Sequence, residues 1–496
     1  MRLSRLSVAA ATALAAVVAL VLATSACSRR GQGPLPIALI GDRTALLAGG
    51  PRLSLAARML RAATIEGLVA FDAEGRIVPA IADRWIITDD GQSYIFRLRD
   101  GNWPGGARIT AETTAAALRK ALAAIKGTAL GLDLAPIEQV RVMADRVIEI
   151  DLGAPMPDLL TLLAQPELGL PYGRRGAGPM ALGRKGNAAT LSLIPPEQRG
   201  LPPQDGFNRH VRTLVIDFVA PADAVKRFND GDDDVLLGGR IDSLPLAQAN
   251  TLSRGNIQLD PVIGMFGLLV DSEAGFLADA PNREALALAI DRDALIAAFN
   301  IGGWQPTTRV VSTGVEGDAG TVGERWVGVA MEQRRILAAE RVAKYKLGGK
   351  PAPVLRIAAP DGPGTRLVLD RLATDFGAIG VIVVRVGEDK PADLRLVDAT
   401  ARYGRAAWFL NQLACTVHKP ACSAAGDALL AQARAAKDSR ERARLLGEAE
   451  AEITAANAFL PIARPLRWSL VRSSVIGFAP NPWGWHPLPP LAVIPK

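Results

Sequence analysis

The order of apolar and polar residues along the chain predicts alternating strands and helices. Two runs that alternate apolar and polar positions, 84–88 and 93–98, flank a turn containing Asp-Gly, which is the pattern of a β-hairpin. Thr110 has a side chain suited to the N-cap of a helix that runs to Ile125. A further alternating run at 146–152 predicts a half-buried strand.

The second half of the chain has the same mixed character. Apolar residues recur at helical spacing over 284–299, which predicts one amphipathic helix. A strand at 355–358, a helix at 367–376 and a buried strand at 381–386 form a predicted β–α–β unit. Such alternation favours a parallel or mixed sheet, with ligands near the carboxyl ends of its strands.

Length and composition limit the class of protein. The chain has 496 residues, too many for one hydrophobic core, so more than one lobe is expected. Apolar residues make up 49% and charged residues 22%, which indicates a folded globular protein. The formal charge of +7 is dispersed along the chain, so no nucleic-acid partner is expected. The three cysteines and three histidines lack metal-binding spacing, so neither a metal nor a cofactor is expected.

The amino terminus has the features of an export signal. Two arginines precede an uncharged stretch at 6–28. The small residues 24–26 before Cys27 resemble a bacterial lipobox, so residues 1–26 are expected to be a lipoprotein signal peptide, Cys27 the lipid-bearing residue and 27–36 a linker. The alternative is an uncleaved membrane-spanning helix. Both alternatives place the remaining chain on the non-cytoplasmic side of a membrane, and the first predicts a lipid-anchored protein of the periplasm.

Cys415 and Cys422 are close in sequence, with Pro420 between them. In an oxidising compartment such a pair is expected to form a disulfide that closes one loop. The alternative is a pair of free thiols in a reducing compartment.

Five stretches of sequence, taken in order, match a known family. They are 66–72 (EGLVAFD), 75–85 (GRIVPAIADRW), 89–101 (DDGQSYIFRLRDG), 283–292 (REALALAIDR) and 459–485, which contains the closing FLPI and GW segments. The chain resembles the extracytoplasmic solute-binding proteins of ABC transporters, in the family 5 cluster of oligopeptide-, dipeptide- and nickel-binding proteins.

The resemblance implies an α/β fold, specifically the bilobal periplasmic-binding-protein fold with two mixed α/β lobes around a ligand cleft. On this basis residues 37–260 are expected to form lobe I, 261–457 lobe II, and 458–496 the return to lobe I. A monomer that binds a peptide or other small polar solute and docks on a membrane permease is expected.

The resemblance also suggests ligand-binding residues. The family has a segment whose acid pairs with the amino group of a ligand, and here Asp398 keeps that acid, while the second acid and the proline are lost. Tyr403, Trp408 and Asn411 follow in the same segment, and Trp304 follows the 283–292 motif.

Each of these residues also has an ordinary structural interpretation. Asp398 lies near Arg395 and Arg402 and is equally suited to a structural ion pair. Tyr403 and Trp408 are aromatic residues of the kind that fill large cores.

Three functions remain open at this level. Solute capture without catalysis is the leading hypothesis. The altered cleft segment also allows a sensory or structural lipoprotein that no longer serves transport. An exported hydrolase is the third hypothesis, although the chain has no GxSxG motif and the only candidate Cys–His dyad is Cys415 with His418.

Overall fold

A seven-stranded sheet, called here the first sheet, combines strands from the first half of the chain with one from near its end. The computed structural model describes residues 33–46, 48–173, 175–249 and 255–494. In spatial order the strands are Met180–Lys185, Ala188–Leu193, Leu214–Val219, Leu35–Ile40, Val235–Arg240, Arg467–Val471 and Ile257–Leu259. Leu35–Ile40 pairs in parallel with both neighbours, and the remaining pairs are antiparallel.

A four-stranded antiparallel sheet, called the side sheet, is inserted into the first half. Its strands, in spatial order, are Ala82–Ile87, Ser93–Leu98, Val147–Leu152 and Ile137–Ala144. The predicted hairpin is confirmed, because the first two strands pair across the Asp-Gly turn. The predicted N-cap is confirmed as well: the Thr110 hydroxyl accepts from the backbone N–H of Thr113 at the start of the helix Ala111–Ala124.

The second sheet has five strands from the second half of the chain. In spatial order they are Ile382–Gly387, Val354–Ala359, Leu394–Thr400, Gly264–Val270 and Phe459–Ala463. The predicted β–α–β unit is present, since Val354–Ala359 and Ile382–Gly387 pair in parallel around the helix Pro363–Gly377. The mixed α/β class predicted from the sequence is confirmed.

Helices cover these sheets. Besides those already named, they are Leu55–Thr64, Ala129–Asp133, Leu159–Leu163, Pro221–Asp230, Leu244–Gln248, Ala280–Ala289, Arg292–Ala297, Met331–Tyr345, Ala406–Gln412, Ala424–Ala435 and Ser439–Ala456. Two short strand pairs join Val69–Phe71 with Ile77–Pro79 and Pro171–Tyr172 with Arg175–Gly176.

Two predicted elements differ from the structure. The helix expected over 284–299 is divided, because the Asp291 side chain accepts from the N–H of Ala294 and starts a second helix. The strand predicted as buried at 381–386 lies at the edge of the second sheet, where Ile382 is 52% exposed. An apolar run does not reveal whether a strand has one neighbour or two.

The chain crosses between the two main sheets twice. It leaves the first sheet after Leu259 and enters the second at Gly264, close to the expected boundary at 260. It returns between Ala463 and Arg467, so the strand Phe459–Ala463 lies in the second sheet. The expected boundary after 457 precedes this strand, and the sequence of an apolar strand does not show which sheet the strand joins.

The buried apolar residues form two cores. One includes Leu35, Ile37 and Leu39 of the first sheet together with residues of the side sheet. The other surrounds the second sheet and also includes Ala38 and Trp468 of the first sheet. Most buried apolar residues of 401–453, a range expected in lobe II, belong to the first core; they include Trp408, Phe409, Leu445 and Ile453. This segment, which lies between two strands of the second sheet, therefore packs mainly in the first core.

Candidate functional site

The loop after the strand Leu394–Thr400 lies where the chain crosses between the sheets. Antiparallel pairing places Thr400 opposite Gly264, the first residue after the crossing. The N–H of Ala401 donates to the carbonyl of Ile263 at 2.8 Å. Residues 398–434 contact residues 133–167, Arg240 and Arg467 of the first lobe. We call this contact region the seam.

Asp398 forms an ion pair across the seam. Arg467 Nη1 donates to its carboxylate at 2.6 Å, and Arg240 Nε lies 3.5 Å from the other carboxylate oxygen. Both arginines come from adjacent paired strands of the first sheet. The side chains of Asp398 and Arg467 are each 6% exposed, so this pair is desolvated.

The space beside Asp398 is too small for a solute. A cavity of about 10 Å³ lies there, lined by Arg240, Phe266 and Asp398 among others. This is about the minimum needed for a single water molecule. In this arrangement the Asp398 carboxylate binds two guanidinium groups and has no room for the amino group of a ligand.

Tyr403 and Asn411 converge on an acid of the first lobe. The Tyr403 hydroxyl and the Asn411 Nδ2 each donate to Asp133 Oδ1 at 2.8 Å. Arg434 Nη1 donates to the Asn411 Oδ1 at 3.3 Å. Burial raises the pKa of Asp133 to about 7, although the bonds from Asn411 and Tyr403 oppose the shift.

A cavity of about 90 Å³ adjoins Asp133. Its polar lining includes Asp133, Asp158, Tyr403, Asn411 and Arg434, and the second oxygen of Asp133 has no hydrogen-bond partner. Burial raises the pKa of Asp158 as well. The volume suits a few atoms rather than a whole drug-sized solute, which requires about 300 Å³ or more.

Asp133 did not emerge from the sequence as a candidate. It ends the short helix Ala129–Asp133, and its neighbours Leu132 and Leu134 are apolar. The position of this acidic residue between apolar neighbours is the one feature of the sequence that indicates the burial of Asp133. Nothing in the sequence connects it with Tyr403 or Asn411, which are far away along the chain.

The two predicted tryptophans lie in the cores. Trp408 is 1% exposed and packs edge-on against Phe409. Trp304 donates from Nε1 to the carbonyl of Arg464 at 2.8 Å and packs against Phe299. Neither lines the cavity at Asp133.

A second group of charges surrounds Glu167, whose side chain is 1% exposed. Arg402 Nη2 donates to Glu167 Oε1 at 3.1 Å, and Arg58 Nε lies 3.6 Å from the same oxygen. Burial raises the pKa of Glu167, but the charges of Arg58 and Arg402 outweigh burial and hold it below its ordinary value.

A larger cavity of about 380 Å³ lies next to this group. Gln165 and Trp485 line it, and both contact Arg58. Arg58 donates to Gln165 Oε1 at 2.8 Å, and its guanidinium lies 5.7 Å from the centre of the Trp485 ring. Most of the other lining residues are apolar, among them Val69, Phe71, Val78, Pro79, Pro166 and Leu193.

The predictions for the three cysteines have different outcomes. Cys415 and Cys422 form a disulfide, with their Cα atoms 5.2 Å apart. The Cys–His dyad is therefore absent, and His418 Nε2 lies 2.6 Å from the carbonyl oxygen of Val270 instead. Cys27 and the signal peptide expected at 1–26 lie outside the described residues.

The part of the chain that the structure describes contains no helix with the length and hydropathy needed to cross a membrane. Within the same residues, no group of three or more His, Cys, Asp or Glu side chains is arranged to hold a metal ion.

Comparison with known proteins finds similarity to extracellular solute-binding proteins. Residues 76–187 match the family described as "Bacterial extracellular solute-binding proteins, family 5 Middle". The chain is 22% identical to the periplasmic oligopeptide-binding protein OppA of Escherichia coli over 462 residues, 83% of this chain and 84% of that protein. The family match thus covers one part of the chain, while the similarity to OppA extends over most of it.

Two further similarities concern a part of the chain and the fold. The chain is 35% identical to the probable deoxycholate-binding periplasmic protein YgiS of Escherichia coli over 125 residues, which is 21% of this chain and 23% of that protein. Haemophilus influenzae OppA, solved in complex with RPPGFSPFR, superposes with a TM-score of 0.79 at 17% identity, covering 93% of this chain and 99% of that chain. The bilobal periplasmic-binding-protein fold expected from the sequence is therefore confirmed.

Proposed function

We propose that this chain is the extracytoplasmic solute-binding protein of an ABC importer, which captures a solute between its two lobes and delivers it to a membrane permease. The observation that supports this proposal most is the seam. Side chains of both lobes meet there, and only the two crossings at 260–263 and 464–466 join the two main sheets in the described chain. Two short connections of this kind are suited to hinge closure around a ligand.

The solute class we propose is a peptide or another small polar solute. This proposal draws on relatives whose names specify oligopeptides in one case and deoxycholate in another. Relatives named for such different ligands both resemble this chain, so the similarity alone does not select the solute.

We assign the five predicted ligand residues different roles. Tyr403 and Asn411 line the cavity at Asp133 and are proposed to contact the solute or the waters around it. Asp398 is proposed to hold the lobes together through Arg240 and Arg467. Trp304 and Trp408 are proposed to act through packing, since each is buried in a core.

The cellular setting is proposed from the family and the amino terminus. Relatives are periplasmic binding proteins by name. We propose the same compartment here, with a lipid on Cys27 as the membrane anchor and a monomeric protein that docks on its permease.

Solute capture can be tested without knowing the solute. Native mass spectrometry of the freshly purified protein should find a retained small molecule, and adding it to stripped protein should raise the melting temperature by mass action. Small-angle scattering should show a more compact particle with the solute than without it. A Tyr403→Phe variant, which loses one hydroxyl beside the cavity, should bind that solute more weakly, whereas Tyr345→Phe, on the helix Met331–Tyr345, should bind it normally.

One observation favours a second candidate, a sensory or structural lipoprotein that no longer serves transport. Asp398 is fully engaged by Arg240 and Arg467, and the space beside it is about 10 Å³. If no solute is retained and no peptide, sugar or organic-acid mixture changes the melting temperature or the scattering profile, this second function is favoured and solute capture is contradicted.

A further inference from the structure

Asp133 is a buried acid with one unpaired carboxylate oxygen. The residue is 6% exposed, and both hydrogen bonds that its side chain accepts, from Tyr403 and Asn411, fall on Oδ1. Among the residues that the structure describes, Oδ2 has no hydrogen-bond partner. A buried oxygen without a donor carries a free-energy cost, and an incoming donor removes that cost.

The protein compensates the charge of Asp133 only weakly. Both side chains that donate to it are neutral, a phenol and a carboxamide. Arg402 and Arg434 lie close enough to lower the pKa of Asp133, but burial outweighs them. Within the described chain neither guanidinium forms an ion pair with Asp133, since Arg402 pairs with Glu167 and Arg434 donates to Asn411. A cation in direct contact with the carboxylate would therefore stabilise its charged form.

The other charged groups of the 90 Å³ cavity have partners of their own. Asp158 pairs with Arg405, and Arg405 also pairs with Glu316. Arg442 donates to a backbone carbonyl at 2.6 Å. Of the two acids that line this cavity, Asp133 is thus the one whose carboxylate no guanidinium contacts in the described residues.

The cavity suits the end of a solute. Its lining comes from residues 132–162 on one side and 403–446 on the other, so a group bound here touches both sides of the seam. Apart from the charged and polar residues, the lining consists of alanine, leucine, proline and methionine. Pro157 is exposed, and Pro155 and Arg442 are half-buried. The cavity therefore reaches the surface, where the rest of a solute can extend.

We propose that Asp133 binds a primary ammonium group of the solute, with Oδ2 accepting a hydrogen bond from the ammonium nitrogen. The inference rests on the proposed function and specifies its substrate class, a solute that ends in a primary amine. An ammonium group supplies what Asp133 lacks, a positive charge together with N–H donors. Hydrogen bonds between two ionised groups are stronger than those between neutral groups, so this contact favours amines over uncharged solutes of the same size.

The test compares solutes that differ only at the amine. Tryptamine, hexylamine and leucyl-leucine are compared with their hydroxyl analogues, which keep one donor but lose the charge. They are also compared with their trimethylammonium forms, which keep the charge but have no N–H. Calorimetry and thermal shift measure the affinities. At least one amine should bind the wild-type protein at least about tenfold more tightly than both of its derivatives.

Two variants remove the charge of Asp133. Asp133→Asn keeps the size of the side chain and should weaken binding of that amine by about ten- to a hundredfold, as expected for loss of a charged hydrogen bond. Its affinity for the hydroxyl analogue should stay nearly unchanged. Asp133→Ser is a second uncharged variant, which keeps the test informative if Asp133→Asn is unstable. The matched control is Asp389→Asn, at an exposed position, and it should bind the amine as the wild-type protein does.

The outcomes distinguish this inference from the proposed function. If the hydroxyl or trimethylammonium forms bind as well as the amines, or if the Asp133 variants keep the preference for the amine, the ammonium site is wrong while solute capture stands. If no solute in these panels or in peptide and sugar panels binds and none is retained on purification, solute capture itself is contradicted, and this inference with it.

Discussion

Asp133 illustrates how burial changes the chemistry of one residue. It is 6% exposed and accepts two hydrogen bonds on one oxygen, while the other oxygen has no partner. An ordinary aspartate is ionised at neutral pH, whereas burial brings the pKa of this one to about 7. Its charge therefore changes near neutral pH.

This shift predicts a pH-dependent stability. A carboxyl group whose pKa is raised in the folded state binds a proton more tightly there than in the unfolded chain. Its contribution to stability is complete below about pH 4 and is lost as pH rises through about 7. Relative to Asp133→Asn, which keeps an acceptor for Tyr403 and Asn411, the wild-type protein should lose on the order of 4 kcal/mol of unfolding free energy across this window.

The measurement is urea unfolding of both proteins from pH 4 to pH 8. Asp389→Asn, at an exposed position, serves as the control and should follow the wild-type curve. Parallel curves for wild type and Asp133→Asn would show that Asp133 titrates normally.

Residue roles were only partly predictable from the sequence. The resemblance pointed to Asp398, Tyr403 and Asn411, and all three lie at the seam. It could not reveal that Asp398 is bound by Arg240 and Arg467, because those arginines come from strands far away in the chain. Asp133 escaped notice for the same reason, because its partners Tyr403 and Asn411 lie far away along the chain.

At the scale of the element, local signals were dependable. The capping box at Thr110 is an example: the N–H of Thr113 donates to the Thr110 hydroxyl at 3.3 Å, and the N–H of Thr110 donates to the Thr113 hydroxyl at 3.1 Å. Both partners lie within one turn, so their residue types suffice to define the start of the helix.

Removing this cap should destabilise the side of the molecule that contains the side sheet. Thr110→Ala is expected to lower the unfolding free energy by about 1 kcal/mol, since the N–H of Thr113 loses its acceptor, the Thr110 hydroxyl. Chemical denaturation measures this loss. Thr374→Ala is the matched control, because Thr374 is exposed inside the helix Pro363–Gly377 and alanine is a better helix former there. A loss as large in the control as at Thr110 would contradict the capping role.

The sequence did not predict the end of a helix that depends on contact with a distant residue. The break after Ala289 depends partly on Asp375, whose carboxylate accepts from the N–H of Asp291 at 3.0 Å. Asp375 lies on another helix, and the apolar stripe over 284–299 continues across the break. The periodicity of the apolar residues therefore predicts one helix where the structure has two.

At the scale of the whole molecule, the seam connects the two lobes through buried charge. Removing one partner of a buried ion pair leaves an uncompensated charge, which typically costs about 3 to 5 kcal/mol. Asp398→Asn leaves Arg467 and Arg240 without their carboxylate, so we expect a loss of about 3 kcal/mol and a larger radius of gyration in the absence of solute.

The control is Asp393→Asn, which breaks the ion pair with Arg356, whose side chain is 49% exposed. An exposed pair of this kind is worth less than about 1 kcal/mol. Denaturation and small-angle scattering are the measurements. If Asp398→Asn changes solute affinity but neither stability nor dimensions, Asp398 is a ligand anchor rather than a link between the lobes.

The sequence by itself determined the mixed α/β class, the hairpin at the Asp-Gly turn, the cap at Thr110 and the order of the family motifs. These features depend on residue types and on their spacing along the chain. They do not require contacts with distant residues. The tertiary structure alone decided which sheet Phe459–Ala463 joins, which charges face Asp133 and Glu167, and where the 380 Å³ cavity lies. Those properties depend on contacts between residues hundreds of positions apart, and burial alters a charge only once such contacts have formed.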